Sequence, residues 1–123
     1  MKSLGQIGEE LVADHYRKLG FKVLAKNYVF RRGTQIGEID LVVARDQELV
    51  FVEVKTRRNE AFGSALEAVD SYKQRKLIAT AKLYLLQNPE YDGFDYRIDV
   101  ATVDIDNQEN PVIILMNVIE DLD

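Results

Sequence analysis

Gly37-Glu38-Ile39-Asp40-Leu41-Val42-Val43-Ala44, followed by Leu49-Val50-Phe51-Val52-Glu53-Val54-Lys55-Thr56, is the stretch that decides the fold. Both runs are rich in Val, Ile, Leu and Phe, and the polar Arg45-Asp46-Gln47-Glu48 separates them, which predicts a β-hairpin. A symmetric turn pairs Ala44 with Leu49. The same register sets Asp40 opposite Glu53 and Glu38 opposite Lys55. Directly opposed side chains stand about 5 Å apart at Cβ, where like charges repel. Two facing carboxylates therefore need something between them, and a divalent cation is the natural candidate, with Lys55 as the nearby positive charge. A bulge in either strand would shift this register.

Two-residue periodicity places Val50, Val52 and Val54 on one side of the second strand and Phe51, Glu53, Lys55 and Arg57 on the other. In the first strand Ile39, Leu41 and Val43 take the face away from Glu38 and Asp40. Glu38, Asp40, Glu53 and Lys55 are thus expected on one patch. Magnesium prefers hard oxygen ligands and commonly takes one or two carboxylates, keeping waters and phosphate for its other positions. A cation held there would polarise a phosphoryl oxygen and acidify a water. The Lys55 ammonium would orient that water or neutralise charge developing on the phosphate.

Outward from the hairpin, Ser3 through Gly20 reads as an amphipathic helix, with Leu4, Ile7, Leu11, Val12 and Leu19 at helical spacing. Phe21 to Phe30 is a strand and Arg31 to Gln35 a turn. Beyond the hairpin, Arg57 to Ser64 reads as a polar loop and Ala65 to Gln87 as a second helix. Asn88 to Gly93 ends that helix. Alternating Phe94, Tyr96, Ile98 and Val100 mark a strand, Asp106 to Pro111 a turn, and Val112 to Met116 a last short strand. The order α-β-β-β-α-β-β predicts a mixed sheet flanked by helices.

At 123 residues the chain is expected to form one domain with a real core. The absence of cysteine removes disulfide frameworks, cysteine zinc sites and thiol nucleophiles, and suits a reducing cytoplasm. No apolar run approaches the length of a membrane span, and Met1 to Gln6 lacks the apolar stretch of a signal peptide. These features predict a cytoplasmic protein without a membrane partner. The net charge of −5 is unevenly spread. Residues 1 to 87 carry 15 Lys/Arg against 11 Asp/Glu, a net of +4, and residues 88 to 123 carry one against 10, a net of −9. Every candidate site residue lies in the mildly basic part, and local charge decides attraction to phosphates.

Asp40, with Glu53-Val54-Lys55 thirteen positions on, resembles the D…(D/E)-x-K signature of restriction-endonuclease-like nucleases. Gly5-Gln6-Ile7-Gly8-Glu9 is similar to the G-x-x-x-E segment by which archaeal Holliday-junction resolvases add a helix carboxylate to their metal site. A fuller resemblance, over essentially the whole chain, is to the YraN family of bacterial proteins. It is carried by Gly8-Glu9, Gly20, Asn27, Gly37 to Leu41, Phe51 to Arg57, Phe62-Gly63, Lys73, Ala81 and Arg97-Ile98-Asp99-Val100. Arg32 to Ile36 is slightly longer than the turn usual in that family. The resemblance implies a three-layer α/β/α restriction-endonuclease-like core with a mixed sheet. It further implies an endonuclease that uses Mg²⁺ or Mn²⁺ to hydrolyse phosphodiester bonds, with branched DNA as the model substrate. Asp40, Glu53 and Glu9 would be the metal ligands, Lys55 would act on water or phosphate, and Glu38 would support the shell.

Arg57 and Arg58 follow Lys55 directly and are expected to contact nucleic acid, DNA in preference to RNA. Lys73, near the start of the second helix beside Arg75 and Lys76, is a further phosphate contact. A homodimer is left open. Taken alone, E-x-K on a strand is an ion pair on a solvated face; with Asp40, Glu38 and Glu9 added it points to a site. Glu9 and Glu10 also fit as helix N-terminal charges. His15, the only histidine, reads as a packed or surface residue. Two other classes stay in view. One is a non-catalytic nucleic-acid-binding module on the same fold. The other is a protein-interaction partner using the acidic stretch from Glu90 to Asp123.

Overall fold

Ser3 opens the first helix with a capping box: its hydroxyl accepts the Gln6 N–H at 3.1 Å, and its own N–H donates to the Gln6 side chain at 2.8 Å. A computed structural model describes residues 1–58 and 69–119. In chain order the elements are α1 (Leu4–Lys18), β1 (Lys22–Arg32), β2 (Gln35–Arg45), β3 (Glu48–Arg57), α2 (Ser71–Gln87), a 3-10 turn (Pro89–Tyr91), β4 (Asp95–Asp104) and β5 (Val112–Ile119). The five strands lie side by side in sequence order. Only β3 and β4 run parallel, joined by the α2 crossover, and every other neighbouring pair is antiparallel. The α-β-β-β-α-β-β order expected from the sequence is the order observed.

The sheet is covered on both faces, which makes the fold a three-layer α/β/α arrangement. Val12, Ala13 and Tyr16 of α1 pack with Leu41, Val43, Val50, Val52, Ala101 and Val103. Leu77, Ala81 and Tyr84 of α2 pack with Ile39, Val42, Phe51, Ile98 and Val100 on the opposite face. Residues 98 to 103 of β4 are all buried. The alternation expected from Phe94 to Val100 therefore holds only at the strand's start, because a strand lying between neighbours and covered by both helices has no solvent face.

The second helix begins later than its apolar spacing suggested. Asp70 caps it, accepting the Lys73 N–H at 2.9 Å, so Val69 is buried but not helical. The expected loop residues 59–64, which include Phe62-Gly63, and helix residues 65–68 lie outside the described residues, as do 120–123. The last strand runs three residues past Met116, to Ile119.

Candidate metal and nucleic-acid site

The hairpin register is the one expected, Ala44 to Leu49, but the β2–β3 ladder stops at Leu41 and Val52. Past that point β2 stays paired with β1 as far as Gln35, while β3 stays paired with β4 as far as Arg57. The sheet therefore forks. One arm is the β1–β2 hairpin end, the other the C-terminal half of β3 against β4. Asp40 sits in the crotch, and its carboxylate accepts the Val54 N–H at 2.8 Å. That bond replaces the ladder bond that a continued register would have made.

Asp40 consequently drops out of the up–down alternation of β2. Ile39 belongs to the α2-side core and Leu41 to the α1-side core. The expectation that Ile39, Leu41 and Val43 share a face is corrected on this point. The cause is shared by β1, where Tyr28 pairs with Ile39 and Lys26 with Leu41, leaving Asn27 facing Asp40. Asn27 has φ +51, the left-handed region that Asn tolerates best among side chains carrying a Cβ. Both strands change face by one residue at Asn27 and Asp40 while their pairing stays in register; the register shift on β1 lies elsewhere, between Val23 and Ala25.

Two close helix contacts hold the arms of the fork. A Cβ on Gly8 would lie 1.9 Å from Thr56 Oγ1, so only glycine lets α1 approach the β3 arm this closely. On the other face a Cβ on Gly37 would lie 2.1 Å from Thr80 Oγ1, which gives α2 the same access to the β2 arm. Gly8 delivers its neighbour Glu9 to the crotch. Glu9 bonds the Asn27 side chain and feels Asp40, Glu38 and Lys26 electrostatically. Glu10 turns outward instead, in an ion pair with Lys2 at 2.6 Å.

Glu53 is the most perturbed carboxyl. Desolvation by burial raises its pKa most, and the Asp40 carboxylate adds to the rise by hydrogen bond and by charge, pushing it up to about 8. Lys55, with Nζ 4.0 Å from Glu53 Oε1, pulls the other way without cancelling the effect. Glu53 therefore keeps its proton at neutral pH. Burial likewise raises the Glu9 carboxyl, offset in part by Asn27. The structure thus sets Glu9 and Glu53 each within electrostatic reach of Asp40 and Glu38, with Lys55 beside Glu53. Among the described residues no group of three or more acidic, histidine or cysteine side chains is set to hold a metal ion. The tightest arrangement is the Asp40–Glu53 pair. Its donors are all carboxyl oxygens, and with Glu53 deprotonated they outweigh the one lysine, which fits a hard divalent cation.

The predicted nucleic-acid contacts scatter. Arg57 ends β3, and its carbonyl accepts the Ile105 N–H at 3.0 Å. Arg58 turns to Asp106 at 3.5 Å. Lys73 is exposed on the first turn of α2. Sequence reasoning gave no site role to Asn27 or Lys26. A polar Asn inside an apolar strand run was the available signal, since it marks a break in regular pairing.

A family model described as uncharacterised protein family UPF0102 matches residues 8–103. A UPF0102 protein of Pseudomonas aeruginosa is 41% identical over 107 residues, 87% of this chain and 82% of that protein. One from Vibrio parahaemolyticus is 41% identical over 102 residues, covering 83% and 81%. One from Syntrophomonas wolfei is 39% identical over 116 residues, covering 94% and 96%.

Proposed function

The chain belongs to the UPF0102 (YraN) family, and from the carboxylate pair in the crotch of its sheet we propose that it is a metal-dependent endonuclease acting on DNA. The observation that carries this reading is the Glu53 carboxyl, held beside Asp40 and Lys55 with its pKa pushed up to about 8. A structural ion pair with Lys55 would lower the Glu53 pKa, whereas carboxylates crowded together to receive a cation raise it. Asp40, Glu53 and Glu9 would hold Mg²⁺ or Mn²⁺, with Glu38 at the rim. The bound metal would supply charge neutralisation at the phosphoryl group and a more acidic water. Glu53 would have to release its proton to serve as a ligand. Lys55 then places an ammonium beside the reacting phosphate, where it neutralises developing charge and orients the attacking water. Asp40 keeps its geometry through the Val54 N–H, which fixes one carboxylate oxygen and leaves the other for the metal.

The test is a cleavage screen on single-stranded, duplex, flap and four-way-junction DNA with Mg²⁺ and with Mn²⁺. Cleavage is expected of at least one substrate, lost in EDTA and in Lys55→Ala while binding remains. A second reading is a non-catalytic DNA-binding module. It is favoured by the same Asp40–Val54 bond, which gives Asp40 a structural task of its own. Binding that is equal in EDTA and Mg²⁺, with no cleavage of any substrate, would establish it and sink the nuclease.

A further inference from the structure

A cleft of about 410 Å³ lies between α2 and the β1–β2 arm, on the α2 side of the sheet. Phe30, Arg32 and Gly37 form one wall, and Tyr72, Arg75 and Lys76 of α2 form the other. Among the described residues no acidic side chain lines it. In a chain with a net charge of −5, three cations converging on one concavity, without a carboxylate among the described lining residues, is a local inversion of sign. Neither Arg32 nor Arg75 has an ion-pair partner among the described residues. Tyr72 is 62% exposed, an unusual position for a large aromatic ring. The Lys76 ammonium lies 5.4 Å from that ring's centroid, over one face. The structure needs no exposed tyrosine there for packing, since α2 meets the sheet through Leu77, Ala81 and Tyr84.

An exposed ring flanked by cations is what binds single-stranded nucleic acid. Bases stack on the aromatic face, and the cations follow the backbone. Duplex DNA keeps its bases stacked on one another and offers no free base face to such a ring. We propose that this cleft is a single-strand-binding groove: Tyr72 stacks on an unpaired base while Arg32, Arg75 and Lys76 hold the flanking phosphates. The groove leads to the proposed site. Gly37 lines it and precedes Asp40 by three residues on the same strand, a distance of about 10 Å. Glu53 and Lys55 alternate with Val52 and Val54 and so share the face of Phe51, the face α2 covers. Resting on the nuclease reading, this narrows the substrate to DNA that presents an unpaired segment beside the scissile bond.

The test measures fluorescence anisotropy of a labelled oligothymidylate and of the corresponding dT·dA duplex, in EDTA so that no cleavage intervenes. Wild-type protein should bind the single strand more tightly than the duplex. Tyr72→Ala should weaken single-strand binding on the order of tenfold and remove the preference. Tyr72→Trp should retain it. The chain has no tryptophan, so that variant's emission reports stacking directly, by quenching on addition of oligothymidylate. Arg75→Ala should lower the slope of log affinity against log salt by about 0.7, the share of one single-strand phosphate. Equal binding by Tyr72→Ala and wild type, or duplex binding as tight as single-strand binding, overturns the groove. Wild-type cleavage in Mn²⁺ is followed in parallel. Cleavage with Tyr72-independent binding removes the groove and leaves the nuclease, whereas Tyr72-dependent binding without cleavage does the reverse.

Discussion

Glu53 carries the clearest consequence at the level of one side chain. Its carboxyl holds a proton in the folded protein up to about pH 8, whereas an unfolded chain releases it near the ordinary value of 4.5. Between those values the folded state binds more protons than the unfolded state, so stability falls as pH rises. Below about 4.5 both states are protonated and the contribution is fully present. In EDTA the urea midpoint should therefore drop between about pH 5 and about pH 8, and Glu53→Gln should flatten that drop. The raised Glu9 carboxyl acts in the same direction, so the residual slope in Glu53→Gln measures its share. Asp40 separates charge from hydrogen bonding. Asp40→Asn keeps an oxygen for the Val54 N–H and removes the repulsion, so it should melt higher than wild type without metal and lose most of its metal response. Asp40→Ala leaves that N–H without its partner and should cost about 1–3 kcal/mol. If Asn proves as damaging as Ala, the carboxylate charge is structural and the metal site loses its central member. That Asp40, Glu53 and Lys55 come together was legible in the D…E-x-K spacing. Their positions were not: an aspartate that takes a strand N–H with its own side chain leaves no mark in the two-residue pattern.

Elements were read well where a local rule decided them and poorly where tertiary contacts did. The hairpin register came out correctly because Asp46, at φ +53, and Gln47 make a two-residue turn that fixes Ala44 against Leu49. The start of α2 was read too early because Val69 keeps the helical spacing although the helix begins only after its cap, Asp70. β4 was read as half-exposed because nothing local announces that both helices cover it. Asp99 shows what that burial demands. It is fully buried, and its carboxylate accepts the Tyr16 hydroxyl at 2.8 Å, the Asn117 N–H at 2.8 Å and Arg97 Nε at 3.1 Å. The contact between α1 and β3 offers a sharper test. Alanine is a better helix former than glycine by about 1 kcal/mol, so propensity alone favours Gly8→Ala. The added methyl would meet Thr56 Oγ1 at 1.9 Å, and Thr56 Cβ and Cγ2 at 3.0 and 3.1 Å leave rotation little to gain. Overpacking costs about 1–3 kcal/mol and should prevail. Gly8→Ala is expected to melt lower than wild type and to lose cleavage, as Glu9 moves with the helix. Adding Thr56→Ala should recover part of both.

For the whole molecule, separated charge and a shared site make metal and stability one measurement. A cation that binds only the folded state at ten times its Kd contributes about 1.4 kcal/mol. For a domain of this size that is a rise of about 4 °C in Tm. Differential scanning fluorimetry with Mg²⁺ and Mn²⁺ should show it in wild type, and its absence with both ions would remove the cofactor. The paired change of face at Asn27 and Asp40 bears on what the site is for. The β1–β2 hairpin consists of two pleated halves out of phase by one residue, and the defect is matched across the strands. Removing Asn27 alone, or Asp40 alone, would turn half of one strand inside out and should prevent folding. Removing both would restore one pleat from Tyr28 and Ile39 to Ala25 and Val42, all four still on one side, and would leave the bulge between Val23 and Ala25 untouched. That doubly shortened chain should fold at least as stably as its parent and have no site. If that shortened chain folds and loses its metal response, the flaw in the pleat serves chemistry and not folding.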